Sequence, residues 1–188
     1  RIAEAHRRYR ERIAALKGKD IRIALDEWNY RYGPHAYGEL GTAYFLKDAL
    51  GIAAGIHEYA RQADIIFMAN YAQTVNVIGA IKTTKTAAAF DTTGLVLKLY
   101  RAEFGTVPVA VKGAPEPLDV AAAWREDGKT LTLSVVNPTT APQTLALQLA
   151  GATFEPAARL WRIAGTNQKA HNEPGKPPVV KIEETSSV

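Results

Sequence analysis

The residues with the clearest capacity for chemistry stand in the segment Leu25-Asp-Glu-Trp-Asn29, and Glu27 is the most prominent of them. Residues 21–25 are mostly apolar, which is typical of a strand buried on both faces of a parallel sheet. A carboxylate that follows such a strand lies at the carboxyl end of the sheet, where α/β barrels hold their catalytic residues. Glu27 is therefore a candidate catalytic carboxylate. The alternative is an acidic side chain that caps the strand or pairs with an arginine.

A second apolar run, residues 63–70, also ends in polar residues, and more amides follow it closely. Because the carboxyl ends of parallel strands meet at one edge of a sheet, we expect Asn70, Gln73 and Asn76 to lie near Glu27. Their amides can donate to and accept from sugar hydroxyl groups. For Asn70 and Asn76 the alternative is that they satisfy backbone groups of the loop.

Helical spacing of apolar residues predicts the elements that hold these strands. Residues 1–17 form an amphipathic pattern that ends at Gly18, and residues 44–62 and 88–104 show two further helical patterns. The helix over residues 44–62 joins the two strands into a β-α-β unit, whose connection we expect to be right-handed. Within that helix, His57 and Glu58 are interpreted as structural.

Two other stretches have a composition that suggests ligand binding. The loop that begins at Tyr30 is rich in Gly, Pro and Tyr, and its tyrosines either stack on the apolar face of a sugar or pack the loop against the protein. The stretch Lys82-Thr-Thr-Lys-Thr86 lacks the glycine spacing of a P-loop, so phosphate binding is not expected there.

The pattern changes at Gly105, where helical spacing gives way to short apolar runs between turn residues: 107–111, 118–124, 130–136, 143–149 and 157–163. Asp127-Gly128 is a strong hairpin signal, and the whole pattern is typical of an antiparallel β-sandwich. Residues 165–188, rich in Pro, Asn and Lys, are expected to form an extended loop. The predicted fold class is α/β followed by all-β, with domains over residues 1–104 and 105–188.

Composition narrows the class of protein. The chain has 188 residues and a formal net charge of +4, and its basic residues are spread out, which gives little support to nucleic-acid binding. The absence of cysteine excludes disulfides and cysteine metal sites. No apolar run approaches membrane-spanning length, so no membrane association is expected. The sequence opens at Arg1 inside a predicted helix, as expected for a piece of a longer protein, and it carries no prediction of location.

Several of these segments together resemble one family of enzymes. Leu25-Asp-Glu-Trp-Asn29, Tyr71-Ala-Gln-Thr-Val-Asn-Val-Ile78, Asn172-Glu-Pro-Gly175 and the change from helical to β pattern are similar to the carboxyl-terminal part of family 51 glycoside hydrolases. Those enzymes are chiefly α-L-arabinofuranosidases. The resemblance implies that residues 1–104 supply the last strands (seven and eight) and helices of a (β/α)8 TIM barrel, and that residues 105–188 form an incomplete, jelly-roll-like β-sandwich.

The same resemblance implies roles for individual residues. Glu27 matches the catalytic nucleophile, and Gln73 matches a residue that hydrogen-bonds the sugar in the cleaving subsite. Trp28 and Asn29 match positions that shape the pocket, and Tyr30 beside them is a further candidate for sugar binding. The chain departs from many members at Arg31, which stands where they carry a second tryptophan, so their aglycone preference is not carried over.

A retaining glycosidase needs a second carboxyl group roughly 5–5.5 Å from the nucleophile to protonate the leaving oxygen. In this family that acid/base is a Glu in an Asn-Glu pair on barrel strand four. Asn172-Glu173 does not fit, because it follows the predicted sandwich strands. We therefore expect the proton donor in an upstream segment or another chain, and we expect residues 1–104 to fold only against that segment.

The resemblance also bears on substrate, partners and cofactors. It implies release of α-L-arabinofuranosyl residues from hemicellulose, arabinan or oligosaccharides, and assembly as a homo-oligomer. No metal or organic cofactor is expected, because displacement by a carboxylate needs neither. Two alternatives stay open: a β-1,4-glucanase of the same family, and a non-catalytic carbohydrate-binding module that uses the sandwich.

Overall fold

The computed structural model describes residues 2–30, 41–155 and 158–187 of the chain. The helices in these residues are α1 Ile2–Arg12, α2 Leu46–Arg61 and α3 Thr92–Glu103, with a short 3-10 turn at Ala14–Leu16. The strands are β1 Ile23–Trp28, β2 Ile66–Tyr71, β3 Ile81–Thr83, β4 Ala88–Phe90, β5 Val107–Val109, β6 Asp119–Trp124, β7 Leu131–Val136, β8 Ala158–Ala164 and β9 Lys181–Ser187. In this part of the chain, no helix combines the length and the apolar character that crossing a membrane requires.

The predicted β-α-β unit is confirmed. Strands β1 and β2 pair in parallel, and α2 connects them in the sequence. The helix presents its small and branched residues to the core, where Ala49, Ile52 and Ala53 are buried together with Val96 of α3 and Val136 of β7. Residues on either side of position 104 therefore share one apolar cluster. The proposed domain boundary at residue 104 stays a prediction.

An irregularity in β1 decides which of its side chains face the helix. The pairing of β1 with β2 shifts by one residue between Leu25 and Trp28, as in a β-bulge. Leu25 and Trp28 are half-buried, whereas Asp26 and Glu27 between them are both exposed. The extra residue lets two successive acidic side chains stay in solvent while Trp28 returns to the side that packs against α2.

The sheet after residue 105 contains the predicted hairpin. Strands β5, β6 and β7 form an antiparallel sheet in that order. Gly128 in the β6–β7 turn has a φ of 63°, which glycine adopts readily. The Asp127 carboxylate accepts hydrogen bonds of 2.8 Å from the backbone N–H groups of Lys129 and Thr130. These bonds close the turn, so the hairpin signal in Asp127-Gly128 is confirmed.

Two predictions in the second half of the chain are wrong. Residues 143–149 form no strand, because no neighbouring strand pairs with them and Leu147 remains 53% exposed. The tail is not an extended loop throughout, since β9 pairs antiparallel with β8 and aligns Ile182 with Ile163 and Glu183 with Arg162. In β9 only Ile182 is apolar, so its partner strand rather than its own pattern defines it. Closure of these sheets into a sandwich stays a prediction.

The predicted third helix begins later than its apolar pattern suggests. Residues 88–90 form β4, which pairs with β3 in an antiparallel hairpin. The helix α3 starts only at Thr92, because the Asp91 carboxylate accepts from the Thr92 N–H at 2.8 Å and caps the first turn. An Asp followed by two threonines is a recognisable signal for the start of a helix. A prediction that uses apolar spacing alone overlooks this signal.

A buried polar network joins the helices to the sheet. His57 of α2 is fully buried, with Nδ1 2.9 Å from the Asp119 carboxylate and Nε2 2.7 Å from the Tyr100 hydroxyl and 2.8 Å from that of Ser134. A carboxylate only accepts, so Nδ1 carries the proton and Nε2 accepts from a hydroxyl group. Burial lowers the pKa of His57 despite the opposing effect of Asp119. His57 is therefore a neutral structural connector, as the sequence indicated.

We expect His57→Phe to lower the melting temperature of the full-length protein, because each group that now binds the His57 ring loses one hydrogen bond. Each such loss costs about 1–3 kcal/mol. The control is Glu58→Gln on the same helix, where the contacts of Glu58 are exposed: an ion pair with Arg61 and a hydrogen bond from Gln62. Equal melting temperatures for the two variants would contradict the role assigned to His57.

The same pair of proteins tests pH dependence. Because the pKa of His57 is lowered in the folded state, its contribution is present above about pH 6.5 and is lost as the pH falls toward the folded pKa. The wild-type melting temperature should fall over this range, and His57→Phe should show a smaller fall. Thermal denaturation at several pH values measures both.

Candidate active site

Glu27 stands at the carboxyl end of β1, one residue before the strand ends. Its side chain is exposed, and no residue in the described part of the chain forms a hydrogen bond or ion pair with it. The alternative of a strand cap or an arginine partner therefore finds no support within residues 2–30, 41–155 and 158–187. A carboxylate without a partner at this end of a parallel strand can act on a ligand as an acceptor, base or nucleophile.

Trp28 occupies the opposite side of the strand. Its ring meets Tyr59 of α2 edge-on at a centroid distance of 4.9 Å and Tyr71 of β2 at 5.7 Å. A Cβ atom at Gly55 would lie 3.1 Å from the indole ring, so glycine there lets α2 approach closely. Trp28 thus packs against α2 and holds the end of β1 against this helix.

Asn29 connects β1 to the segment after β2. Its Nδ2 donates to the carbonyl oxygens of Ala72 at 2.7 Å and Ile78 at 2.9 Å, and lies 3.0 Å from the Tyr44 hydroxyl. Its Oδ1 accepts from the N–H of Tyr30 at 2.7 Å. Both ends of the amide are therefore used by the protein, and Asn29 shapes the site by holding residues 72–78 in place.

The aromatic residues next to Asn29 extend this framework. The hydroxyl of Tyr44, which is fully buried, donates to the Tyr30 carbonyl at 2.7 Å. Burial raises the pKa of Tyr44 well above its ordinary value, so the hydroxyl keeps its proton. The Tyr30 ring meets the Tyr44 ring edge-on at 5.9 Å and its hydroxyl lies beside Gly51 of α2. These contacts favour packing of Tyr30, although 38% of the residue is exposed.

The amides at the end of β2 and in the segment after it divide into two kinds. Asn76 is committed to the protein, since its Nδ2 donates to the Thr83 hydroxyl at 3.1 Å and its Oδ1 accepts from the Thr83 N–H at 2.8 Å. Asn70 and Gln73 are exposed. Gln73 follows a cis peptide bond, and its Nε2 donates to the Val75 carbonyl at 3.2 Å. Its Oε1 has no partner among the described residues.

The strand pairing brings the exposed polar residues to one edge. Trp28 pairs with Tyr71, and the Ala72 N–H donates to the Trp28 carbonyl at 3.1 Å. Adjacent strands lie about 4.8 Å apart, so Glu27 and the residues that flank Tyr71 share the carboxyl end of the sheet. We call Glu27, Asn70 and Gln73 the polar edge. It combines a carboxylate with amides that donate and accept, a set suited to binding a hydroxylated ligand.

The Asn-Glu pair of the chain, Asn172-Glu173, serves the tail. Asn172 is buried, and its Oδ1 accepts from the N–H groups of Val179 and Val180 at 2.9 Å each. Glu173 is exposed and pairs with Lys176 at 2.7 Å. This pair therefore organises the loop before β9, in line with its exclusion as the acid/base.

The structure also contains a buried ion pair that was not predicted from the sequence. Lys82 of β3 and Asp91 are both buried, with 3.8 Å between Nζ and Oδ2. Burial lowers the pKa of Lys82 and raises that of Asp91 to about 6. The signal for Lys82 was its central place in a three-residue strand, which turns its side chain inward. Because residues 82–86 are rich in threonine and lysine, nothing in the sequence indicated a buried lysine there.

Part of the predicted site falls outside the described residues. Arg31, whose identity distinguishes the chain from many members of the resembled family, lies there together with the remaining loop tyrosines, Tyr32 and Tyr37, and His35. Among the residues that the structure describes, no cluster of His, Asp and Glu could hold a metal ion.

We expect Asn29→Asp to destabilise the full-length protein, because a carboxylate oxygen would then face the carbonyl oxygens of Ala72 and Ile78. The loss of a buried donor costs about 1–3 kcal/mol. The control is Asn167→Asp, since exposed Asn167 uses its Oδ1 to accept from Lys169 and keeps that ability. Thermal denaturation should show a lower melting temperature for Asn29→Asp alone; equal shifts would contradict the role of Asn29.

Comparison with known proteins places this geometry in a family. A family model described as the alpha-L-arabinofuranosidase C-terminal domain matches residues 26–188. The chain is 31% identical over 183 residues to a probable alpha-L-arabinofuranosidase C of Aspergillus flavus, covering 87% of this chain and 36% of that protein. It is 29% identical to alpha-L-arabinofuranosidase C of Emericella nidulans, covering 86% and 35%. The chain thus spans about a third of the length of these relatives.

Solved structures agree with this match. The α-L-arabinofuranosidase of Thermotoga maritima in its arabinose complex superposes with a TM-score of 0.82 at 26% identity, covering 99% of this chain and 43% of that one. The thermostable family 51 α-L-arabinofuranosidase of Thermotoga petrophila gives 0.78 at 26% identity, with the same coverage. The chain therefore belongs to the α-L-arabinofuranosidase C-terminal domain family, the carboxyl-terminal part of family 51 glycoside hydrolases.

Proposed function

We propose that this chain supplies the nucleophile of a retaining glycoside hydrolase that releases terminal α-L-arabinofuranosyl residues from hemicellulose, arabinan or oligosaccharides. The observation that carries the proposal is Glu27 itself. It lies at the carboxyl end of a parallel strand, exposed and without a partner among the described residues, inside the segment that the family model matches. Family membership supports the class of reaction, and the site residues and the substrate are part of the proposal.

The reaction proceeds in two displacements at the anomeric carbon. The Glu27 carboxylate attacks that carbon and forms a glycosyl ester while the bond to the leaving oxygen breaks, and an acid transfers a proton to that oxygen. In the second step the group that donated the proton acts as a base and removes a proton from water. The water attacks the anomeric carbon, the ester bond breaks, and the Glu27 carboxylate is restored. Two inversions retain the configuration of the sugar.

The other residues of the polar edge bind the sugar. In the proposal, the free Oε1 of Gln73 accepts a hydrogen bond from a hydroxyl group of the arabinofuranosyl ring, and exposed Asn70 adds donor and acceptor groups beside it. Trp28, Asn29 and Tyr30 contribute mainly by position, because they contact α2, Tyr44 and residues 72–78.

The proton donor comes from a segment that precedes this part of the family fold. Two observations support such a partner. The curated relatives are nearly three times as long as the matched region, since it covers only 36% of the Aspergillus flavus protein. Strand β2 also carries two successive apolar residues in solvent, with Phe67 56% and Met68 38% exposed. Neighbouring elements of a complete barrel would cover such residues. Homo-oligomer formation stays a prediction of the family resemblance.

We expect Glu27→Gln to lower turnover of an aryl α-L-arabinofuranoside by several orders of magnitude in the full-length protein, because an amide cannot form the ester. Asp26→Asn is the matched control, since this neighbouring carboxylate is equally exposed. A slow fluorinated arabinofuranosyl inhibitor should label Glu27, and the product should retain its anomeric configuration. Labelling of another residue, or inversion, would refute the proposal.

The same assay separates the alternatives. A β-1,4-glucanase of this family would lose activity on soluble β-glucan with Glu27→Gln and would not cleave the aryl arabinofuranoside. A non-catalytic sugar-binding module would bind its polysaccharide equally well with and without the Glu27 carboxylate.

We expect the isolated chain to lack a cooperative unfolding transition as a monomer, because Phe67 and Met68 of the two-stranded β1–β2 sheet remain exposed to solvent. Addition or fusion of the preceding barrel segment should restore a sharp transition. Calorimetry with analytical ultracentrifugation measures both states. A monomeric chain that melts cooperatively alone would contradict the need for a partner segment.

A further inference from the structure

We propose that Lys82 is a positioning residue for sugar binding: by holding the Val77 carbonyl from inside the protein, it fixes the turn that presents Gln73 at the polar edge. The inference rests on the proposed function, because it assigns a means of orientation to a residue that the proposal places against the sugar. Lys82 itself does not contact the polar edge and is therefore not catalytic.

The environment of Lys82 is unusual for a lysine. Its side chain is only 5% exposed, its Nζ donates to the Val77 carbonyl at 3.0 Å, and the same atom lies 5.4 Å from the centre of the Tyr44 ring. Removing an ammonium group from water costs several kcal/mol, which pairing with Asp91 offsets only in part. An apolar side chain of similar length would fill the space at lower cost. The presence of a lysine at this position is therefore best explained by its hydrogen bond to the Val77 carbonyl.

The backbone that Lys82 holds would not keep its shape by itself. Asn76 and Val77 have φ values of 53° and 47°, so two consecutive residues other than glycine adopt the left-handed conformation. This conformation is unfavourable for a β-branched residue such as Val77, and it persists only where surrounding contacts impose it. Two donors converge on the Val77 carbonyl, the Lys82 ammonium and the Thr42 N–H at 2.7 Å.

The turn that contains Val77 orients the side chain of Gln73. The Gln73 Nε2 donates to the Val75 carbonyl at 3.2 Å, and the Gln73 carbonyl accepts from the Ala80 N–H at 3.0 Å. With Nε2 bound to the turn, Oε1 is the end of the amide that remains for a ligand. A change in the conformation of Val77 would move the carbonyl that anchors Nε2, and so would redirect Oε1.

The anionic partner of Lys82 connects the turn to the rest of the site. Asp91 accepts from the Tyr44 N–H at 3.2 Å and caps α3 through Thr92. The Tyr44 hydroxyl reaches Asn29, which binds the carbonyl oxygens on both sides of the turn, at Ala72 and Ile78. Asn29 thus holds the ends of the turn, and Lys82 holds its middle.

A double-mutant cycle in the full-length protein tests the inference. Steady-state kinetics on an aryl α-L-arabinofuranoside compare wild type, Gln73→Ala, Lys82→Met and the double variant. If Lys82 acts through Gln73, each single change should lower kcat/KM by about 10–100-fold, as expected for loss of one strong hydrogen bond in the transition state. The double variant should then be no worse than Gln73→Ala, because coupled residues are not additive.

Controls separate positioning from general destabilisation. Lys98→Met removes an exposed lysine that lies 5.3 Å from the Phe90 ring, and should leave kcat/KM unchanged. Lys82→Arg keeps the charge and the donors, and should recover most of the activity that Lys82→Met loses. If Lys82→Met does not fold, Asp91→Asn serves in its place. It keeps the shape and an oxygen that can cap the helix, it removes the charge beside Lys82 and the acceptor for the Tyr44 N–H, and it should give a smaller loss that is again not additive with Gln73→Ala.

Each outcome bears on one claim. Wild-type kcat/KM in folded Lys82→Met, or a loss that multiplies with that of Gln73→Ala, would overturn the positioning role. Loss of activity in Glu27→Gln together with full activity in Gln73→Ala would overturn this inference and leave the nucleophile assignment intact. Full activity in Glu27→Gln would overturn the proposed function itself, and that variant is assayed in the same series.

Discussion

The side-chain amide of Asn29 is the interaction on which the rest of the site depends. A strand end and the loop after its neighbour carry the exposed polar residues, and the strand pairing reaches that loop through the hydrogen bond from the Ala72 N–H to the Trp28 carbonyl. Asn29 extends this connection with donors to Ala72 and Ile78 and an acceptor for Tyr30. Because a half-satisfied buried amide is costly, this set of bonds favours one arrangement of the loop over its neighbours.

The bulge in β1 gives the same strand two separate tasks. Without it, strict alternation would leave one of two successive residues pointing toward α2. With the extra residue, Asp26 and Glu27 both remain exposed, and Trp28 still packs edge-on against Tyr59 and Tyr71. The apolar anchoring of the strand therefore does not compete with presentation of the carboxylate. The position of Glu27 follows from how Trp28 is held rather than from contacts of its own.

Local sequence patterns correctly predicted the structural elements that depend on contacts between residues near one another in the sequence. The apolar runs of β1 and β2, the helix between them and the Asp127-Gly128 turn are confirmed, because each depends on nearby residues. The tail strand β9 was missed and a strand over residues 143–149 was wrongly expected, because pairing with a distant strand decides both. In the site, the resemblance implied that Asn29 shapes the pocket, and residue type left Asn76 either as a sugar ligand or as a partner of loop backbone groups. The amides of both residues bind backbone groups of the chain, and residue type alone cannot reveal that.

Hydrogen-bond satisfaction separates the framework of the site from the residues that can meet a ligand. Buried or half-buried polar groups need partners, and Asn29, Asn76 and Lys82 all have them within the chain. An exposed group can stay unpaired at little cost because water solvates it, which is the situation of Glu27 and of the Gln73 Oε1. A sugar that displaces this water must reproduce its hydrogen bonds, so ligand specificity is set where the protein leaves donors and acceptors unused. Asn70 and Asn76 therefore differ in role although both are asparagines: Asn70 is exposed and can meet a ligand, and Asn76 is bonded to Thr83.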